Sequence, residues 1–327
     1  MYYKLIENYS AVLRNPSFCF DFFVRNSVKL MGIKIRGRKK QSGSVCGKRI
    51  ISLDEANEMI YNKLSSDRPC MISRNGGTET TFIVTEELIK LGLRNSYSKE
   101  FLDNGKDKSG IFPPTEETAF KFSQIYKESM VEADMTVYWG HILMEEYFFK
   151  KFMRDTVLFP SRALEPFTFS RPWTLALKNK KVLLVHPFVD LIAEQYKIKD
   201  KLFSREILPD FKLYTVKAIQ SIADADCGFD SWFEALNHMY GEIAKVDYDI
   251  AILGCGAYAV PLAAMIKKSG KKAIILGGVT QFLFGIKGSR WERSRPDIVA
   301  MYNEYWVRPG ERYKPKGAEK TEGAAYW

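Results

Sequence analysis

Two apolar runs, each closed by glycine and separated by a helix-length interval, limit the folds open to this chain more than any other feature. They lie in "DIAILGCGAYAVPLAAMIKKSGKKAIILGG", residues 249–278. Upstream, "KKVLLVHPF" from residue 180 and "FKLYTVKAI" from residue 211 have the same strand character. Helices are predicted between these runs, over 189–200 and 229–246. In the second, Phe229, Trp232, Phe233, Leu236, Tyr240, Ile243 and Val246 recur at helical spacing. Strands alternating with helices predict an α/β fold: a mostly parallel, Rossmann-like sheet with helices on both faces. Such sheets bind ligands beyond the carboxyl ends of their strands. That rule singles out residues 74–79, 139–141, 186–190, 254–258 and 277–291.

The first half repeats the pattern less plainly. Ser52 and Glu55 form a capping-box pair that starts a helix through about Leu64. "PCMIS" (69–73) reads as a buried strand, followed by a helix to about Leu91. Residues 94–114, with Gly105, Gly110 and Pro113-Pro114, read as a long loop. Thr115 caps a helix to about Glu132, "MTVYWG" (135–140) is a strand, and a helix near 143–153 precedes a short strand at 156–159. The expected organisation is a basic, aromatic N-terminal segment with a flexible linker (1–49), an α/β catalytic domain (50–306) with a subdivision conceivable near 170–180, and a loosely wrapping C-terminal tail (307–327) whose Tyr326-Trp327 can dock.

Charge is distributed unevenly. The formal net charge is +10, yet nine Lys and Arg side chains and no acidic ones lie between Asp21 and Asp54, so the rest of the chain is close to neutral. Aromatic residues followed by this cluster, over 16–40, suit an anionic membrane surface; a helix packed on the core with a solvated basic end reads equally well. One basic segment without an identifiable binding fold argues against nucleic acid. Five scattered cysteines, with no C-x-x-C pair, suit a reducing compartment. With no signal-peptide core and no membrane-length apolar run, the expected location is cytoplasmic, peripheral to the inner membrane face.

Gly254-Cys255-Gly256 invites a cofactor reading that the next strand undoes. A dinucleotide fingerprint requires an acidic residue about 20 positions on to hold the ribose, and a methyl-donor site needs the same group. Here that strand ends in Leu276-Gly277-Gly278. Two readings remain for Gly254 and Gly256: a tight strand-to-helix turn, or a backbone cradle for a phosphate beside Tyr258. Gly277 and Gly278 offer a second cradle. "QFLFGIKGSRWE" follows with Gln281, Lys287, Arg290 and Trp291, which suit a diphosphate and a stacked sugar or base, or else form a surface loop anchored by the tryptophan. His186 and His141 each stand at a strand's carboxyl end, where a histidine is acid, base, phosphate ligand or simply a hydrogen-bonding group. "SRNGGTET" (73–80) places Arg74 and Gly76 just before Glu79 in a helix's first turn. There a carboxylate can hold a metal, take a proton or favour the helix dipole.

Taken together, R-x-G-x-x-E after the first strand, then "VLLVHPF", then the stretch from 249 through Trp291 resemble bacterial proteins of capsule and surface-polysaccharide clusters. The resemblance covers roughly residues 50–306. The front motif is similar to that of glycosyltransferases with the GT-D fold, in which R-[FY]-G-D-G-E supplies an Asp-x-Glu pair for a divalent metal and the nucleotide-sugar diphosphate. Arg74, Gly76 and Glu79 match; Gly77 and Thr78 replace the Asp and the Gly after it. The resemblance implies a glycosyltransferase taking a nucleotide-sugar donor and a glycan or lipid-linked glycan acceptor, with Mn2+ or Mg2+ at Glu79. Glu79 or His186 is then the base. A transferase of pyruvyl or phosphate groups, or a non-catalytic nucleotide-sugar-binding subunit, stand as alternatives.

Overall fold

In the computed structural model, residues 43–140, 142, 144–321, 323, 324, 326 and 327 are described, together with Pro16 and Cys19. His141 and, apart from those two positions, the segment 16–40 lie outside the described residues.

Nine strands form one sheet: β1 (Gly43–Val45), β2 (Lys48–Ile50), β3 (Cys70–Ser73), β4 (Met135–Tyr138), β5 (Val157–Pro160), β6 (Lys181–His186), β7 (Lys212–Lys217), β8 (Ile250–Leu253) and β9 (Lys272–Ile275). Their order is β1-β2-β5-β4-β3-β9-β8-β6-β7, parallel throughout except for the β1–β2 pair. The longer helices are α1 (Leu53–Ser65), α2 (Gly77–Lys90), α3 (Lys99–Ser109), α4 (Glu116–Met130), α5 (Glu145–Lys151), α6 (Val189–Lys197), α7 (Trp232–Ala244) and α8 (Ala259–Lys268). Helices cover both faces, because the short apolar strands are buried on both. Ala251 and Leu253 pack into one core with Phe82, Phe122, Trp232 and Leu262, and Ile250 and Ile252 into another with Ile60, Trp173, Leu184 and Phe284. The chain has the Rossmann-like α/β fold that its alternation predicted.

Local signals hold where the chemistry is specific. Ser52 Oγ accepts the Glu55 N–H (3.3 Å) while the Glu55 carboxylate accepts the Ser52 N–H (2.8 Å), completing the capping box. Thr115 caps α4 through the Thr118 N–H.

Three expectations fail. The segment 94–114 is not a loop but contains α3, started by Ser98 capping the Phe101 N–H at 3.3 Å. Gly105 lies inside this helix as a packing residue: a Cβ there would come within 2.3 Å of the buried Phe82 ring. Residues 43–50 are not a flexible linker but the β1–β2 hairpin, with β2 alongside β5. Residues 307–327 are not loose either. Ala318 and Thr321 are buried, Thr321 Oγ1 donates to Asp107 O (2.8 Å), and Trp327 Nε1 donates to Tyr313 O (2.7 Å). Among the described residues no helix is long and apolar enough to cross a membrane.

Candidate functional site

Parallel pairing puts the carboxyl ends of β4, β3, β9, β8 and β6 along one edge, so Trp139, Arg74, Gly277, Gly254 and His186 follow one another across the middle of the sheet. Four of the five stretches flagged from the sequence converge there in the described residues, and the described part of the fifth, 139–140, joins them.

Arg74 lies at the centre. Its Nη1 donates to Leu276 O at 2.9 Å, and its guanidinium carbon sits 5.0 Å from the centre of the Trp139 ring. Gly277 makes this approach possible: its φ is +56°, and a Cβ there would lie 3.0 Å from Arg74 Nη1. The platform is itself fixed, since Trp139 Nε1 donates to Asn75 O (3.0 Å) and the Glu145 carboxylate accepts the Trp139 and Gly140 N–H groups at 2.8 Å each. Among the described residues, Arg74 has that single hydrogen bond and no carboxylate at ion-pair distance. Burial holds its pKa below the usual arginine value; the field of Tyr326 opposes this, and Arg290 reinforces it.

Glu79 stands in the first turn of α2 with its carboxyl folded back over Gly76, where a Cβ would come within 1.8 Å of Oε2. The Gly76 N–H donates to the Tyr126 hydroxyl at 3.3 Å. Burial raises the Glu79 pKa, opposed by its own backbone N–H, the Ser109 hydroxyl and the charge of Arg74. A hard divalent ion needs several oxygen ligands, ionised carboxylates foremost. A lone carboxyl whose charged form burial disfavours, in the field of a guanidinium, does not fit such an ion.

His186 is the other titratable group at this edge. Its Nδ1 accepts the Phe188 N–H at 3.0 Å, so the ring proton belongs on Nε2, and burial lowers its pKa to about 3. The imidazole is therefore neutral near pH 7 and donates through Nε2.

The glycines serve a different purpose from the one expected. A Cβ on Gly254 would lie 2.6 Å from His186 Cδ2 and 2.7 Å from Thr280 Oγ1, and one on Gly278 would lie 2.6 Å from Trp291 Cζ2. These positions, like Gly277, admit side chains against the backbone. Gly256 alone of the four faces open space, at φ +58°. Trp291 packs edge-on to Phe282 (4.6 Å between centres), Arg290 Nη1 donates to the Tyr326 hydroxyl (3.3 Å), and buried Gln281 donates through Nε2 to Tyr326 O (3.0 Å).

Two expected residues point elsewhere. Tyr258 is buried against Trp232, nearly coplanar at 4.9 Å, with its hydroxyl 2.7 Å from Ser221 Oγ. Lys287 lies over the Tyr302 ring at 5.3 Å. Conversely, sequence reasoning passed over Tyr126, Thr280, Glu145 and the ring of Trp139. Trp139 alone gave a signal, as the residue ending a predicted strand. Buried polar atoms without a hydrogen-bond partner among the described residues gather along this edge: Ser73 Oγ, Asn75 Oδ1, Thr136 Oγ1, Thr280 Oγ1, Gln281 Oε1 and Trp291 Nε1.

No known protein family, curated protein or solved structure matches the chain. Fold and geometry define its class: a Rossmann-like α/β protein with a cationic, aromatic-walled candidate site at the carboxyl edge of its sheet.

Proposed function

We propose that the protein is a glycosyltransferase that moves a sugar from a nucleotide-diphosphate donor to a surface-glycan acceptor. The observation that carries this reading is Arg74, a half-buried guanidinium without a carboxylate partner among the described residues, at the strand ends where such folds bind ligands. Partial burial of a cation without a counter-charge costs free energy, and an anionic ligand offsets that cost. The planar fork of a guanidinium matches phosphate oxygens. Trp139, Trp291 and Tyr326 flank the position with ring faces and edges suited to a sugar or base. The basic, aromatic segment 16–40 suits an acceptor held at an anionic membrane surface.

In the transfer, the bond between the sugar's anomeric carbon and the diphosphate oxygen breaks. Its electron pair leaves on the diphosphate, which Arg74 and Arg290 stabilise. The acceptor hydroxyl forms the new bond and gives up its proton. Glu79 suits that proton, since burial has raised its affinity for one. His186 does not, because its Nδ1 lone pair is engaged and its Nε2 already carries a hydrogen; it serves as a donor to substrate oxygen. No step is assigned to a metal at Glu79.

Incubation with a panel of nucleotide sugars and a glycan or lipid-linked glycan acceptor, with quantification of released nucleoside diphosphate, tests this reading. The wild-type protein is expected to release it from one donor, and Glu79→Gln to do so about a hundredfold more slowly while still binding that donor. No release from any donor, or full activity in the variant, contradicts the proposal.

A further inference from the structure

The described residues of 308–327 run back across the molecule and end on the candidate site. Thr321 Oγ1 is tied to Asp107 O (2.8 Å) and Lys320 Nζ to Asp224 (2.9 Å); Ser289 Oγ then donates to Ala324 O (3.2 Å). Hydrogen bonds to Gln281 and Arg290 help to place Tyr326 in the pocket. Its carbonyl accepts from Gln281 Nε2, and its hydroxyl accepts from Arg290 Nη1. Its ring also lies against the backbone of Gly278, where a Cβ would sit 3.6 Å from Cε1. The neighbouring residue, Gly277, carries the Arg74 guanidinium at 3.0 Å by the same measure. Adjacent α-carbons are about 3.8 Å apart, so Arg74 and Tyr326 occupy neighbouring places on one turn of backbone, with Arg290 reaching in from the side.

We infer that Tyr326 occupies the position of the second phosphate of a diphosphate ligand, so that this strap and the ligand compete for Arg290. The inference rests on the anion-site reading of Arg74 given above. The Arg290–Tyr326 contact joins a cation to a neutral hydroxyl at 3.3 Å. Phosphate oxygens bind a guanidinium more strongly than a phenol does, and with two parallel bonds. An anion that settles on Arg74 therefore draws Arg290 to itself and releases the phenol. The Gln281 bond to the Tyr326 carbonyl is neutral and the Ser289 and Lys320 contacts are partly exposed, so the strap loosens about Tyr326 and Lys320 while the sheet beneath stays intact.

Calorimetric titration with inorganic pyrophosphate tests the competition, using the full chain and Tyr326→Phe, which keeps the ring and removes only the hydroxyl. The variant is expected to bind pyrophosphate at least about tenfold more tightly, the equivalent of one hydrogen bond to a charged group that no longer has to be broken. Tryptic cleavage after Lys320, in wild-type protein, is expected to speed up when pyrophosphate is added. Equal or weaker binding by Tyr326→Phe, or protection of Lys320 by pyrophosphate, overturns the inference and leaves the anion site standing. Absence of pyrophosphate binding by the wild-type protein overturns both.

Discussion

Burial moves Glu79 and His186 in opposite senses, and in each case it disfavours the charged form. For His186 the folded-state value of about 3 lies below the ordinary 6.5. The neutral ring therefore contributes stability that is present above pH 6.5 and is lost as pH falls toward 3. Between pH 7 and pH 5 that loss amounts to about 2 kcal/mol. Urea unfolding at the two pH values measures it. His186→Gln, whose amide oxygen can still accept the Phe188 N–H, is expected to lose about 2 kcal/mol less than wild type over that interval, and equal losses in the two proteins contradict a buried neutral histidine. The residue types at this site were legible in the sequence: Arg74, Glu79, His186, Arg290 and Trp291 all fell in stretches that follow predicted strands. Their roles were not. Which histidine nitrogen is free depends on the backbone turn that aims the Phe188 N–H at it, and whether a carboxyl is buried depends on neighbours such as Tyr126 that only the fold brings near.

Elements were legible to the degree that their signals are local. Side-chain caps at Ser52 and Thr115 mark helix starts because the capping bond is made within three residues. Glycine is ambiguous, since the same residue ends a helix, permits a turn or makes room for a distant ring. Gly110 is the first kind, a left-handed cap at φ +68°, and Gly105 the third, which is why α3 was read as loop. Gly105→Ala weighs two effects against each other. Helix propensity alone favours alanine by about 1 kcal/mol. A methyl group 2.3 Å from the Phe82 ring, in a core where that ring is 1% exposed, opposes it. Overpacking of this kind costs about 1–3 kcal/mol, so a net destabilisation, seen as a lower urea midpoint, is expected. A stabilised variant contradicts the packing role. Gly254, Gly277 and Gly278 follow the same logic. Gly254 was read as a tight turn or a phosphate cradle and Gly277 and Gly278 as a second cradle, yet the space over them is taken by His186, Arg74 and Trp291, residues 13 to 203 positions away in the chain.

At the scale of the molecule, the site exists because β3 pairs with β9. Cys70, Met71 and Ile72 align with Lys272, Ala273 and Ile274, which brings Arg74 from the first half of the chain onto Leu276 and Gly277 from the second. Alternating strands and helices predicted the parallel sheet but not this adjacency, because strand order is set by crossover packing rather than by any one strand's composition. The strap was still less legible. Lys- and Gly-rich residues 308–327 read as solvent-facing, and only Tyr326-Trp327 hinted that they dock. The proposed function depends on Arg74 being a cation that an anionic ligand completes. Calorimetric titration of wild type and Arg74→Met with nucleoside diphosphates, alongside thermal unfolding of both, tests this most directly. The variant is expected to bind at least about a hundredfold more weakly, the loss of two charge-assisted hydrogen bonds, and to unfold at the wild-type temperature or above, since a half-buried charge without a counter-ion has been removed. Unchanged affinity, or a variant that unfolds well below wild type, would show Arg74 to be a structural residue and contradict the central claim.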